Sequence, residues 1–403
     1  MGSPRGPSSP EAATSPGAAP SSPPRAAPSP KGGPSSPQAA ASPKAAVSPG
    51  KEETDQPSTA HILPAEHWTE QPLDDDLDST LGDSDAASST ASLSTSILEY
   101  RTLHGRTFHS DRVTDAQYWT PNDERQMEAS DIIHHCLTLV HDGALFKAPL
   151  KDDLEVSVWR GVTRDMLTLK SITGIWAIDF ADKYPNTQVT GTDISPIQPT
   201  WVPPNLKFEM DDATLDWTYA DDHFDYVHMR YLFGSVADWP ALLQRAYRCC
   251  KPGGHVESFE ASCVFRSDDG SLADGTPMDQ WGKVFVEAGK KFGRPFDVVG
   301  EGLVQDAFEK AGFEAITQWE FKCPIGAWPQ DKKLRDIGSY ALAGILQDIE
   351  GWILFVWSQV MGWSKEQVAV YVAHLRNQLK DRNVHGYVMM RSVYGRKPKT
   401  AAV

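Results

Sequence analysis

Apolar residues recur along this chain with two periods, and each change of period marks a change of predicted element. After Tyr118, the residues Ile132, Ile133, Cys136, Leu137 and Val140 fall at helical spacing behind the capping pair Asn122 and Asp123, and Gly143 ends that helix. Between Gly174 and Gly254 the patterns alternate. Residues 175–181 read as helix, 188–194, 206–210 and 224–229 as strands, 242–250 as an amphipathic helix stopped by Lys251-Pro-Gly-Gly, and 255–259 as a further strand. Short β runs interleaved with helices predict a parallel sheet covered by helices on both faces. Downstream the pattern predicts helices at 280–292 and 303–311, a strand at 315–323, and a mostly helical stretch from 332 to 379. The last of these helices opens on a capping box, Ser364 with Gln367. Residues 387–394 close as a strand, and no internal repeat is present.

Composition removes most of the first quarter of the chain from this scheme. Residues 1–50 are almost all Pro, Ser, Ala and Gly with a single large aliphatic, Val47, and residues 51–100 set one base, Lys51, against twelve acids. Neither stretch can bury enough apolar surface to offset chain entropy. The expected organisation is therefore a disordered tail over 1–115 and one domain over 116–403, with the alternating elements in a first part near 165–262 and a second part near 263–385 plus the final strand. The net charge is −16, and the part outside the tail is acidic too, which argues against a nucleic-acid partner. The chain opens with neither a signal nor a transit pattern, and its longest apolar run, 352–363, falls short of the ~20 residues of a bilayer span. These features predict an intracellular protein of cytoplasm or nucleus with no membrane partner. Five cysteines, an odd number without CxxC spacing, predict reduced thiols and no metal.

In an open α/β sheet a nucleotide lies beyond the carboxyl ends of the strands, and an acid ending the second strand can accept both ribose hydroxyls. Asp193, in Gly191-Thr-Asp-Ile-Ser-Pro, occupies that place, and Asp211 and Asp212 end the next strand. His228 and Arg230 stand at the end of the fourth. A neutral imidazole there can take a proton, and a guanidinium can hold a carboxylate. The consecutive His134 and His135 point to different helix faces and make a poor metal pair, and Cys249 and Cys250 read as packing residues. Trp352, Trp357 and Trp363 lie in a helical insertion before the last strand, which can close as a lid over an aromatic acceptor pocket.

The run Gly174-Ile-Trp-Ala-Ile-Asp-Phe-Ala-Asp-Lys-Tyr-Pro, with Gly191-Thr-Asp-Ile-Ser-Pro-Ile-Gln-Pro, Phe224-Asp-Tyr-Val-His-Met-Arg and Lys251-Pro-Gly-Gly, resembles the fungal class I methyltransferases of the LaeA type, regulators of secondary metabolism. The likeness extends from about residue 118 to 398. It implies a Rossmann-like fold with a mostly parallel seven-stranded sheet and S-adenosyl-L-methionine as cofactor, held by Thr173, Gly174, Asp193, Ile194, Asp211, Asp212 and Ala213, with His228 and Arg230 at the catalytic position. The methyl acceptor it implies is a small, secondary-metabolite-like molecule or a protein, and regulatory protein partners are expected. One departure stands out: where the family has an acidic, glycine-rich turn, residues 168–174 read Thr-Leu-Lys-Ser-Ile-Thr-Gly. Side chains at Lys170 and Ile172 would occupy the space those glycines leave open. An alternative function, a catalytically inactive methyltransferase-fold scaffold, follows from that turn.

Overall fold

The computed structural model describes residues 62–73, 99–110, 118–150, 164–169 and 173–399. A seven-stranded sheet runs through the domain. Its strands are β3 (Arg164–Leu169), β4 (Thr187–Asp193), β5 (Leu206–Met210), β6 (Phe224–Arg230), β7 (Cys250–Arg266), β8 (Glu314–Pro324) and β9 (Tyr387–Arg396), in the order β5-β4-β3-β6-β7-β9-β8. The first five are parallel, and β9 pairs antiparallel with both β7 and β8. A short hairpin, β1 (Arg101–Leu103) with β2 (Arg106–Phe108), stands apart from it.

Parallel strands need crossovers, and the helices supply them. Helix α3 (Ile175–Lys183) links β3 to β4, α4 (Trp239–Cys249) links β6 to β7, and α5 (Pro277–Phe292) and α6 (Leu303–Ala311) follow β7. Among the described residues α1 (Ala65–Thr69) comes first, and α2 (Glu124–Val140) precedes the sheet. The insertion before β9 holds α7 (Lys332–Gln347), α8 (Ile349–Phe355), which passes into a π turn at Val356–Val360, and α9 (Lys365–Lys380). Local chemistry sets their starts. The Asp123 side chain accepts from Gln126 N at 3.2 Å, Asp348 from Gly351 N at 3.1 Å, and Ser364 with Gln367 completes the expected capping box.

Three expectations need correction. The domain begins earlier than residue 115. Trp68 of α1 is 2 % exposed, set edge-on to Tyr371 at 5.3 Å, and Leu63 N donates to Gln280 Oε1, because one tryptophan offers enough apolar area to dock a five-residue helix. The hairpin is equally fixed: Arg106 forms paired hydrogen bonds with both Asp123 and Asp348. The other tail residues, 1–61, 74–98 and 111–117, lie outside the described residues. Second, Thr168 and Leu169, read as the start of the altered turn, belong to β3, where Met166, Leu167 and Leu169 are buried. Third, β7 starts at Cys250, so Lys251 to Gly254 form an irregular opening to the strand, with a register shift against β6.

The apolar run 352–363 is buried in the core around Ile353, Leu354 and Trp357, and no single helix among the described residues is long and apolar enough to cross a membrane. All five cysteines are buried free thiols, and no cluster able to hold a metal occurs among the described residues.

Deleting residues 1–61 is expected to leave the thermal transition in place, since that stretch lacks the apolar content to dock. Deleting 1–73, or Trp68→Ala alone, should lower the unfolding free energy by about 3 kcal/mol. Denaturant titration of the three chains tests this, and equal midpoints for the two truncations would remove α1 from the fold.

Candidate active site

The two acid-bearing strand ends are held side by side. Asp211 N donates to the Asp193 carbonyl at 3.0 Å, which brings the tips of β4 and β5 to one level at the carboxyl edge of the sheet. The Asp193 carboxylate accepts from Ser195 N at 3.0 Å, and Asp212 accepts from Thr214 N and Oγ1 at 2.9 and 2.7 Å. Burial raises the pKa of Asp211. Asp193, Ile194, Asp211, Asp212 and Ala213 line one cavity of about 60 Å³, together with Tyr118 and Arg294. That set suits a nucleoside, with carboxylates to accept from ribose hydroxyls and an exocyclic amine.

The remaining two expected cofactor residues lie at the start of α3. Gly174 has φ +78°, and a Cβ there would stand 2.4 Å from Phe208 Cζ, so both conformation and space require glycine. Thr173 is buried beside it and lines a second cavity. Thr168 is buried, its carbonyl accepting from Thr192 Oγ1 at 3.5 Å, while Lys170 and Ile172 lie outside the described residues.

The second cavity, about 130 Å³, lies between the sheet and the helical insertion and is walled mainly by apolar side chains, among them Trp119, Trp281, Phe285 and Trp352. Arg230 is the one charged residue in its lining. The chain turns sharply there, since Tyr231, also in the wall, adopts φ +55°. His228 does not line this cavity. It is 2 % exposed, stacked on Trp176 with ring centroids 3.8 Å apart and planes 2° from parallel, facing a void of about 10 Å³ that also touches Glu257. Burial holds its pKa well below the ordinary histidine range. Of the two residues expected at the catalytic position, Arg230 thus lines the apolar cavity, whereas His228 packs behind it.

Other expectations resolve individually. Trp352 lines the cavity, Trp357 is core, and Trp363 packs against Trp357 and Tyr371. His134 is buried and His135 exposed, edge-on to Tyr340. Burial pushes the Cys250 thiol up to about 12, in keeping with a packing role. Sequence reasoning missed Trp119 and Gln126 as wall residues. Gln126 carried a signal, a polar residue followed at helical spacing by Ser130 and Ile133 on one face of α2, but nothing local says what that face meets.

Comparison with known proteins adds a second line. A methyltransferase domain family matches residues 171–318. The methyltransferase pytC of Aspergillus terreus is 34% identical over 283 residues, covering 70% of this chain and 83% of its own length. The secondary metabolism regulator laeA of Aspergillus fumigatus is 32% identical over 285 residues, 70% of this chain and 73% of its own. The protein-methionine methyltransferase laeA of Emericella nidulans is 30% identical over 283 residues, 70% and 72%.

Asp193→Ala is expected to weaken S-adenosylmethionine binding by about 1–3 kcal/mol, the scale of hydrogen bonds to a charged acceptor, and unchanged affinity by calorimetry would take Asp193 out of the site. The buried histidines predict a pH dependence of stability. Burial keeps His228 and His141 neutral in the fold, His141 down to about 4, yet on unfolding both take up a proton near pH 6.5. The unfolded state therefore binds more protons as pH falls, and stability is lost below about pH 6.5 with a slope of up to about 1.4 kcal/mol per pH unit for each histidine. Urea unfolding between pH 7 and 5 should show this slope, and His141→Gln should reduce it.

Proposed function

The chain belongs to the fungal LaeA-like family of S-adenosylmethionine-dependent methyltransferases, and from that membership we propose that its methyl acceptor is a small, largely apolar molecule seated between the sheet and the helical insertion. One observation carries this reading: Thr173, next to the glycine that begins the cofactor-side helix, is also part of the wall of the large apolar cavity. Cofactor and acceptor would meet across that residue.

S-adenosylmethionine, when bound, supplies a sulfonium methyl group open to nucleophilic attack. Asp193, Asp211 and Asp212 would hold its nucleoside, with Gly174 letting the backbone approach. The acceptor cavity excludes water through its aromatic wall and orients what it binds, and orientation alone can supply several kcal/mol of barrier lowering. Among its lining residues none is a carboxylate or histidine. The two thiols, Cys136 and Cys263, make poor bases, since burial raises the Cys263 pKa well above its usual range. We therefore assign His228 to packing and leave the acceptor to bring its own nucleophile, deprotonated or soft.

The Emericella nidulans relative is named for a protein-methionine acceptor. A methionine side chain is apolar and slender enough for the same cavity, which makes a protein acceptor the competing outcome.

The test is to incubate the full chain with methyl-labelled cofactor and an organic extract of the organism that makes it, then partition the label. Label should enter the organic phase, and Ala341→Phe, which fills the cavity from α7, should cut that transfer at least about tenfold while cofactor binding by calorimetry persists. Label confined to precipitable protein would overturn the small-molecule acceptor.

A further inference from the structure

We infer that the acceptor enters this cavity as an anion, an apolar and conjugated carboxylic acid whose carboxylate pairs with Arg230, and that Asp179 and His134 position the guanidinium for it. The inference rests on the acceptor cavity proposed above and adds the charge of its occupant.

Arg230 is partly buried at the end of β6 and is the sole charged residue in an otherwise apolar wall. Among the described residues no carboxylate lies within ion-pair distance of it. Among the described residues its guanidinium meets another side chain, His134, whose Nδ1 lies 3.0 Å from Nη1. A cation desolvated in this way is costly unless an anion compensates it, and burial has pushed its pKa down to about 10.

Its direction is set by a relay. A guanidinium can only donate, so His134 Nδ1 must accept, and the ring is then neutral with its proton on Nε2, which donates to Asp179 Oδ2 at 2.9 Å. His134 is buried on α2, while the Asp179 side chain on α3 is 47 % exposed and keeps its hydration. The imidazole thus spaces the carboxylate away from Arg230, fixing the guanidinium without neutralising it.

Two further wall residues carry a buried polar group that a ligand can engage. Gln126 is 2 % exposed, and its Oε1 is buried without a partner among the described residues, as is Trp352 Nε1. Buried polar groups are nearly always satisfied. One acceptor, one donor and one cation amid Trp119, Trp281 and Phe285 describe a flat conjugated acid that also carries a hydroxyl or amine.

Cinnamate and its neutral isostere cinnamamide separate charge from shape. Titrated into the cofactor-loaded full chain and followed by tryptophan fluorescence, cinnamate should bind at least about tenfold more tightly than cinnamamide. Arg230→Met should erase that preference while leaving cinnamamide within about twofold. His134→Phe should weaken cinnamate alone, and His134→Gln should restore it, because an amide can accept from Arg230 and donate to Asp179 at once. Equal affinities in the unaltered chain, or a preference that survives Arg230→Met, would overturn the anion site and leave the cavity reading standing. Binding of neither probe would overturn both. Should Arg230→Met fail to fold, the acid-to-amide ratio of the unaltered chain decides alone.

Discussion

A single guanidinium fixes where the helices around the acceptor cavity begin. Arg106 lies on the outlying hairpin, and it binds two carboxylates that are each already the N-cap of a helix, Asp123 of α2 and Asp348 of α8. Asp348 has no exposed side-chain surface, so its charge is tolerable only because Arg106 and the Gly351 amide saturate it, with Arg125 3.4 Å away. Paired N–H donors facing each carboxylate give the geometry that makes such a buried charge stable. The two helices it pins deliver Gln126, Ser130, Ile133 and Cys136 from one side of the cavity and Trp352 from the other. The shape of the cavity therefore depends on a residue of the segment that composition assigns to the tail.

A second buried carboxyl group organises the neighbouring part of the same sheet face. Glu257, fully buried on β7, accepts from Lys147 N, Ala148 N, Tyr226 Oη and Ser392 Oγ, joining the loop after α2 to strands β6 and β9. Burial raises its pKa and these hydrogen bonds oppose the rise. His228 stacks on Trp176 in the same neighbourhood. Glu257 and its donors spend their hydrogen bonds on one another and serve rigidity, while His228 is held by stacking. Arg230, only two residues further along β6, lines an apolar wall, where its charge has no partner carboxylate among the described residues. The same strand face thus carries a packed histidine at one position and a cavity-lining cation at the next.

The parts of this structure that were legible in the sequence are those encoded by local period and capping. Strands β4 to β6 and helices α3, α5 and α6 follow from alternation and helical spacing, and α2 and α9 from Asp123 and Ser364. Asp193, Ile194, Asp211, Asp212 and Ala213 were legible as one group because strand ends in a parallel sheet converge by topology, and they do share a cavity. The hairpin and α1 were not, since three-residue strands and a five-residue helix carry almost no periodic signal within a Pro-rich, acidic segment. His134 was judged as half of a pair with His135, which says nothing of Arg230, 96 positions away. Local spacing also cannot tell that His228 would be covered by Trp176.

The family match and the acceptor cavity divide the chain differently. The methyltransferase domain match spans residues 171–318, and within it lie every expected cofactor residue and Arg230. Much of the acceptor wall comes from outside that span: Trp119, Gln126 and Ile133 before it, and Ile325, Ala341, Trp352 and Met390 after it. On the function proposed above, cofactor chemistry falls to the shared sheet, and acceptor selection to flanking helices that converge only in three dimensions. A fold that holds its electrophile with conserved topology can change acceptors by altering those flanks without disturbing the strand ends. In this chain the flanks build an aromatic wall from elements pinned by Arg106, so selection of the acceptor and anchoring of the N-terminal hairpin depend on the same two N-cap carboxylates.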